Sequence, residues 1–145
     1  MKTTCTWNEK MRFTAKTRSH SIQMDSTPPI GNDTAMTPKE LVLNGVCGCT
    51  AMDVVALFKK HKQAVDSFEI EADAKTAEKY PTMFTNIELT YRAKGSIDKD
   101  KYIEAVTLSQ TKYCAVSAMI SKAAPIHYKI FLNDEQIGSG QAHFG

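Results

Sequence analysis

The sequence has no stripe of arginines and no segment in which basic residues concentrate. Its 18 Lys and Arg residues and 16 Asp and Glu residues are scattered, and the formal net charge is +2. Proteins that bind nucleic acids usually gather basic side chains on one face or in one segment. We therefore expect no nucleic-acid partner.

The first ten residues also lack the apolar core of a secretory signal peptide. We therefore expect the protein to be cytoplasmic, in a compartment where thiols stay reduced. The sequence contains four cysteines: Cys5, Cys47, Cys49 and Cys114. In that compartment cysteines are more often catalytic or inert than members of a structural disulfide framework.

One long helix is predicted over residues 38–62. Thr37 is a favourable N-cap, Pro38 suits the first helical position, and Glu40 completes a capping box with Thr37. No charged side chain occurs between Leu41 and Met52, and a helix that is apolar on nearly all sides is expected to be buried. It is expected to be too short and too quickly charged to span a membrane, which takes about 20 apolar residues. No membrane partner is expected.

Strands and helices follow one another without regular alternation. Strands are predicted over residues 2–7, 11–17, 20–25, 68–74, 84–91 and 126–132 by alternating and β-branched or aromatic residues. A second helical region begins near Asp98, and the polar segment 109–112 is expected to interrupt it. Residues 138–140 are expected to lead into a loose tail. This order indicates one α+β domain over residues 1–145.

Cys47 and Cys49 are expected to face opposite sides of the long helix, because two residues turn it by about 200°. Cys49 shares its side with Gly45 and Met52, whereas Cys47 shares its side with Phe58. The two thiols make a poor metal clip, and no cluster of His or Cys supplies further ligands. The chain also has neither a P-loop nor a GxGxxG motif. We therefore expect no metal and no cofactor.

We expect Cys49 to be the reactive thiol of the two, although a free buried cysteine usually acts as a small hydrophobe. Two glycines beside it, Gly45 and Gly48, each cost a helix about 1 kcal/mol relative to alanine, which suggests that another group approaches closely there. Cys49 lies about three turns into the helix, too far for the helix dipole to activate it. Activation then needs a cation. The candidates are Arg12, Arg18 and Arg92.

Two segments resemble the OsmC/Ohr family (osmotically induced / organic hydroperoxide resistance). Thr37-Pro38-x-Glu40-Leu41, followed by Gly48-Cys49-Thr50-Ala51-Met52-Asp53, is similar to the central helix of that family. Lys112-Tyr113-Cys114-x-Val116-Ser117 is similar to its second-cysteine region. The order and spacing of the two motifs fit along most of the chain.

The resemblance implies antiparallel sheets, a long buried central helix and an intertwined homodimer. It also implies thiol-dependent reduction of organic hydroperoxides in oxidative-stress defence. Cys49 then matches the peroxidatic cysteine, which becomes a sulfenic acid, and Cys114 matches the resolving cysteine, which condenses with it to a disulfide. A dithiol reductant resets the pair.

The sequence departs from the peroxidase pattern at the charged positions. The family's Gly-Gly-Arg context is absent, and Arg18 is the nearest stand-in. The acidic partner of that arginine would fall at Lys39, and Glu40 is one residue later. Because Glu40 lies about 180° from Cys49 around the helix, it is better explained as a cap, and only a dimer interface would make it catalytic. These departures place the chain nearer the OsmC-like branch.

A second function stays open at this point. A dimeric protein with the same fold that binds an apolar ligand at the interface, without catalysis, would also lack the Gly-Gly-Arg context. Redox sensing without turnover is a third alternative.

Overall fold

The computed structural model describes residues 1–145, which form two compact units, residues 1–43 and 44–145. In the first unit, β1 (Thr4–Glu9), β2 (Arg12–Thr17) and β3 (His20–Met24) form an antiparallel sheet in that order. These strands confirm the three predicted strands, with ends that differ by one or two residues: β1 begins at Thr4 and extends through Glu9, β2 begins at Arg12, and β3 ends at Met24. The assignment of residues 1–145 to a single domain stays a prediction.

A buried carboxylate organises the loop after β3. Asp25 is only 4% exposed, and its Oδ2 accepts hydrogen bonds from the Thr34 hydroxyl at 2.6 Å and the Thr34 backbone N–H at 3.0 Å. Its Oδ1 accepts from the Ser26 N–H at 2.7 Å. These donors, Thr34 first, lower the pKa of Asp25 to about 2. The loop is therefore tied to the end of β3 by an ionised side chain.

Helix α1 (Pro38–Lys60) begins as predicted, since Thr37 Oγ1 accepts from the Glu40 N–H and Glu40 Oε1 accepts from the Thr37 N–H. It ends two residues earlier than expected. Within the single chain it is not buried on all sides, which corrects the sequence expectation. Only one stripe is buried: Val46, Thr50, Val54 and Phe58.

The 23 residues of α1 are long and apolar enough to cross a membrane by length and composition. The expectation that the helix is too short and too quickly charged is therefore wrong. The core helix of a soluble protein can meet the same criteria, so length and composition alone do not show that α1 spans a membrane. On its buried side, Thr50 is hydrogen bonded to Tyr91 of a β-sheet, which is the packing of a helix on a sheet.

The second unit contains a four-stranded sheet in the order β4-β5-β6-β7. Its strands are β4 (Ala64–Thr76), β5 (Phe84–Ser96), β6 (Ile126–Leu132) and β7 (Glu135–Gln141). The β5–β6 pair is parallel, so this sheet is mixed, which corrects the expectation of antiparallel sheets at this one pair; every other strand pair is antiparallel as expected. Residues 138–140 belong to β7 and are not a loose tail.

The crossover between β5 and β6 contains the second helical region, as a parallel pair requires a long connection. Helix α2 (Lys99–Leu108) runs into a π-helical turn (Ser109–Tyr113), and α3 (Ala115–Ile120) follows. The predicted interruption at residues 109–112 is therefore real. Between α1, α2 and the sheet lies a cluster of aromatic rings with centroids 5.2 to 6.5 Å apart. Its members are Phe58, Phe68, Tyr91, Tyr102 and Tyr128.

Candidate active site

Two thiols and a carboxylate meet where α1 lies against the π-helical turn. The sulfur atoms of Cys49 and Cys114 and a carboxylate oxygen of Asp53 all lie within 4.8 Å of one another. Cys49 and Asp53 are one helical turn apart on α1, so their side chains share a side of the helix. The fold thus brings together two cysteines that are 65 positions apart in the sequence.

The π-helical turn sets the position of Cys114. The Cys114 N–H donates to the Ser109 carbonyl at 2.9 Å, and the backbone of Cys114 then turns to an extended conformation. This break leaves the Cys114 sulfur at the N-cap of α3, where it accepts from the Ser117 N–H at 3.3 Å. π-Helical turns inside α-helices are frequent at functional sites.

The two thiols differ in their access to solvent. Cys114 is 0% exposed, whereas Cys49 is partly exposed. Burial raises the pKa of Cys114 to about 11, against the lowering effect of the Ser117 hydrogen bonds, and the neighbouring Cys49 raises it further. A reagent from solvent therefore meets Cys49 first.

A chain of buried hydrogen bonds ends on the carboxylate. Ser109 Oγ donates to Asp53 Oδ2 at 2.9 Å and lies 2.7 Å from Thr50 Oγ1. Thr50 Oγ1 lies 2.8 Å from the Tyr91 hydroxyl, which accepts from Gln110 Nε2 at 3.0 Å. Each hydroxyl has one proton. Since Ser109 gives its proton to Asp53, Thr50 must donate to Ser109 and Tyr91 must donate to Thr50.

Every hydrogen bond in the chain therefore has a fixed direction, with the donors pointing from Gln110 toward Asp53. Donors aligned in one direction polarise each other and strengthen the hydrogen bond to the carboxylate oxygen at the end of the chain. Burial raises the pKa of Tyr91, so its hydroxyl keeps the proton that the chain requires. The chain therefore holds Asp53 in place as the acceptor beside the thiol pair.

Arg92 does not lie beside the thiol pair. Side chains alternate along a strand, so Arg92 points to the opposite face of the sheet from Tyr91. There its guanidinium lies 5.7 Å from the centroid of the Phe131 ring and 3.9 Å from Glu71. Arg92 is therefore excluded as the cation that activates Cys49 within one chain.

The remaining charged candidates belong to the first unit. Arg18 lies in the β2–β3 turn with φ of 56° and is exposed. Arg12 donates through Nε to Gln23 on the neighbouring strand at 3.4 Å. Glu40 forms the capping box at the start of α1, as its sequence position predicts. Catalytic roles for Arg18 and Glu40 stay predictions, as do the roles of Cys49 and Cys114.

Asp53 is the site residue that the sequence analysis missed. Its position four residues after Cys49 was a usable signal, because residues i and i+4 face the same side of a helix. No comparable signal pointed to Ser109 or Tyr91, since their contacts with α1 depend on the long-range packing of the sheet and the crossover.

The side of α1 opposite the buried stripe is exposed and almost free of charge. Gly45, Met52 and Ala56 lie on it, and Met52 is 75% exposed. A shallow hollow of about 370 Å³ runs along this side, lined by Ala51, Met52, Val55, Ala56 and Lys59. Cys49 lies between this exposed face and the buried stripe.

Comparison with known proteins identifies the family. The family described as OsmC-like protein matches residues 31–129 of the chain. Protein YhfA of Escherichia coli (strain K12) is 37% identical over 122 residues, which cover 83% of this chain and 89% of that protein. The chain belongs to the OsmC-like family. The resemblance found in the sequence is thus confirmed.

Solved structures agree with the OsmC-like fold. A hypothetical protein from Aquifex aeolicus VF5 is 28% identical with a TM-score of 0.78, over 91% of this chain and 96% of that one. An organic hydroperoxide resistance protein OsmC from Legionella pneumophila is 10% identical with a TM-score of 0.64, over 88% of this chain and 93% of that one. At that identity the second similarity shows the fold alone. The predicted α+β class is confirmed, while the homodimer stays a prediction.

Proposed function

We propose that this OsmC-like protein is a thiol peroxidase that reduces organic hydroperoxides through Cys49 and Cys114. The observation that carries the proposal is the approach of the two sulfur atoms to within 4.8 Å, with Cys49 accessible and Cys114 buried. An accessible thiol suits the attacking role, and a buried neighbour suits the resolving role. A relative in fold, the Legionella pneumophila protein, is named for organic hydroperoxide resistance.

The two thiols and a dithiol reductant account for every atom and electron of the proposed reaction. The Cys49 thiolate attacks the terminal peroxide oxygen, the O–O bond breaks, and the alcohol leaves with one proton. The resulting sulfenic acid is attacked by the Cys114 thiol, which forms the disulfide and releases water. A dithiol then reduces the disulfide by thiol–disulfide exchange and becomes oxidised in turn.

A homodimer is part of the proposal. The exposed face of α1 is apolar, and Gly48 leaves room for a second backbone, since no atom outside the neighbouring turns of α1 lies within 4 Å of a Cβ built on Gly48. A second copy of the same face is complementary to it by two-fold symmetry. Light scattering is expected to give a dimer mass that Met52→Glu lowers toward the monomer, while Met83→Glu, also at an exposed methionine, leaves it unchanged. A monomer mass for the wild type would contradict this part.

Consumption of an organic hydroperoxide with a dithiol reductant tests the enzyme function. We expect turnover by the wild type and by Cys47→Ser, and none above background by Cys49→Ser. Arg18→Ala is expected to lower turnover if Arg18 supplies the cation, and Glu40→Gln tests its acidic partner. Equal background rates for wild type and Cys49→Ser would reject the proposal.

A second candidate function is the binding of an apolar ligand at the α1 face, without catalysis. The apolar hollow lined by Met52 and Val55 favours it. Thermal shift with fatty or lipoyl compounds tests it, and a ligand-free protein in native mass spectrometry together with no shift would count against it.

A further inference from the structure

The side chains of Cys49, Asp53 and Cys114 present two sulfur atoms and one carboxylate oxygen around a common point, within 4.8 Å of one another. Thiolate sulfur and carboxylate oxygen are both ligands of Zn²⁺ in proteins. We infer that these three residues form a binding site for a thiophilic divalent cation such as Zn²⁺. Three protein ligands leave one position open for water or a small ligand, as in open zinc sites.

The groups around the three ligands fit a metal site. Metal-bound carboxylates and thiolates are usually oriented by hydrogen bonds from a surrounding layer of residues. Here Ser109 donates to Asp53 Oδ2 at 2.9 Å, and the Ser117 N–H donates to the Cys114 sulfur at 3.3 Å. Because the hydroxyl chain behind Ser109 runs in one direction only, Asp53 is held in a single orientation as an acceptor.

The lack of a basic partner for the Asp53 carboxylate also favours a bound cation. Asp53 has no salt-bridge partner, since the ion pairs of residues 44–145 involve other carboxylates. Arg92, the only arginine of that unit, lies on the opposite face of the sheet. Asp53 lies next to two cysteines without a cation of its own unit within salt-bridge distance, so a bound positive ion would meet no competing cation there.

Cation binding can be distinguished from disulfide formation by its dependence on Asp53. A disulfide needs only the two sulfur atoms, whereas the cation needs the carboxylate as well. Cys47 lies on the same helix but is not part of the cluster. It therefore supplies a matched control for the cysteine substitutions.

Titration of the reduced, oxygen-free protein with Co²⁺ tests the inference. We expect one Co²⁺ per chain, with thiolate-to-cobalt charge-transfer absorption and the d–d bands of a four-coordinate site, and displacement of Co²⁺ by Zn²⁺. Cys47→Ser and Cys5→Ser are expected to bind as the wild type does. Cys49→Ser and Cys114→Ser are expected to lose the charge-transfer band, and Asp53→Asn to weaken binding by roughly tenfold or more.

Three results would overturn the inference: no charge-transfer band in the wild type, a band lost only with Cys47→Ser or Cys5→Ser, or unchanged affinity in Asp53→Asn. Far-UV circular dichroism checks that each variant is folded. If Cys114→Ser does not fold, Cys49→Ser and Asp53→Asn still decide the outcome, because both lie on the partly exposed side of α1.

Co²⁺ binding is measured without peroxide, so its outcome does not depend on whether the protein is a peroxidase. If both hold, the cation and the peroxide compete for the same sulfur atoms. Zn²⁺ is then expected to slow hydroperoxide consumption by the wild type, and a chelator is expected to restore it.

Discussion

Cys47 and Cys49 lie two residues apart on α1, yet their surroundings differ in chemistry. Both thiols are partly exposed, but only Cys49 meets Cys114, Asp53 and the end of a hydrogen-bond chain. Cys47 is on the side of the helix that carries the buried Phe58, and burial raises the pKa of its thiol. The surroundings of each cysteine therefore depend on what the crossover segment brings to its side of the helix, and not on its position along the helix.

Replacement of Cys114 is expected to give the largest difference between the two α1 cysteines. Serine is similar in size and is itself a good N-cap for α3, so Cys114→Ser is expected to fold. Without the resolving thiol, the Cys49 sulfenic acid should persist after peroxide. Trapping with a dimedone reagent is expected to give at least about tenfold more adduct on Cys49 than in the wild type.

The matched control is Cys47→Ser, which should trap no more adduct than the wild type. The tryptic peptide of residues 40–59 contains both α1 cysteines, so its fragmentation assigns the adduct. An adduct on Cys47 would contradict the assignment of Cys49 as the thiol that peroxide oxidises.

The pH dependence of stability gives a second, smaller effect. Because burial raises the pKa of Cys114 to about 11, the unfolded chain loses this proton at lower pH than the folded chain does. The stabilisation is therefore complete below about pH 8.5 and is lost as pH rises toward 11, by at most about 2 to 3 kcal/mol.

Urea unfolding at pH 8 and at pH 10.5 measures this effect. The fall in stability should be smaller in Cys114→Ser than in the wild type, because the titrating thiol is gone. Burial also raises the pKa of Cys47, so Cys47→Ser should shift the profile in the same direction. Identical pH profiles for wild type and Cys114→Ser would contradict the burial of that thiol.

Two buried tyrosines, Tyr91 and Tyr102, differ in the hydrogen bonding of their hydroxyls. The Tyr91 hydroxyl belongs to the hydrogen-bond chain, whereas the Tyr102 hydroxyl is buried without a partner. Tyr91→Phe leaves Gln110 Nε2 without its acceptor and is expected to cost about 1 to 2 kcal/mol of unfolding free energy. Tyr102→Phe removes an unpaired polar atom and is expected to be neutral or stabilising.

Urea unfolding at neutral pH compares the two variants directly. Equal destabilisation by both would mean that the hydroxyl chain does not contribute as its geometry implies.

Local signals in the sequence were sufficient for much of the fold. The capping box of Thr37 and Glu40 fixed the start of α1, and alternation located β4 and β5, although both strands are longer than expected. These features depend on neighbours in the chain, which a sequence displays. The polar segment after Leu108 likewise predicted an interruption of the second helical region.

The remaining features depend on residues that are distant in the sequence. Alternation does not encode whether two strands run parallel, so the β5–β6 pair could not be predicted from it. The carboxylate could have been found by helical spacing from Cys49. The hydrogen bonds that connect Asp53 through Ser109 to Tyr91 could not have been found from the sequence. They form only when α1, the π-helical turn and β5 pack together.

The most direct test of the central claim is to map the disulfide formed by the reduced protein with one equivalent of an organic hydroperoxide. We expect a cross-link between the tryptic peptides of residues 40–59 and 113–122, retained in Cys47→Ser and absent in Cys49→Ser. A cross-link that requires Cys47, or the absence of any link between these peptides after the peroxide is consumed, would contradict the pairing of Cys49 with Cys114.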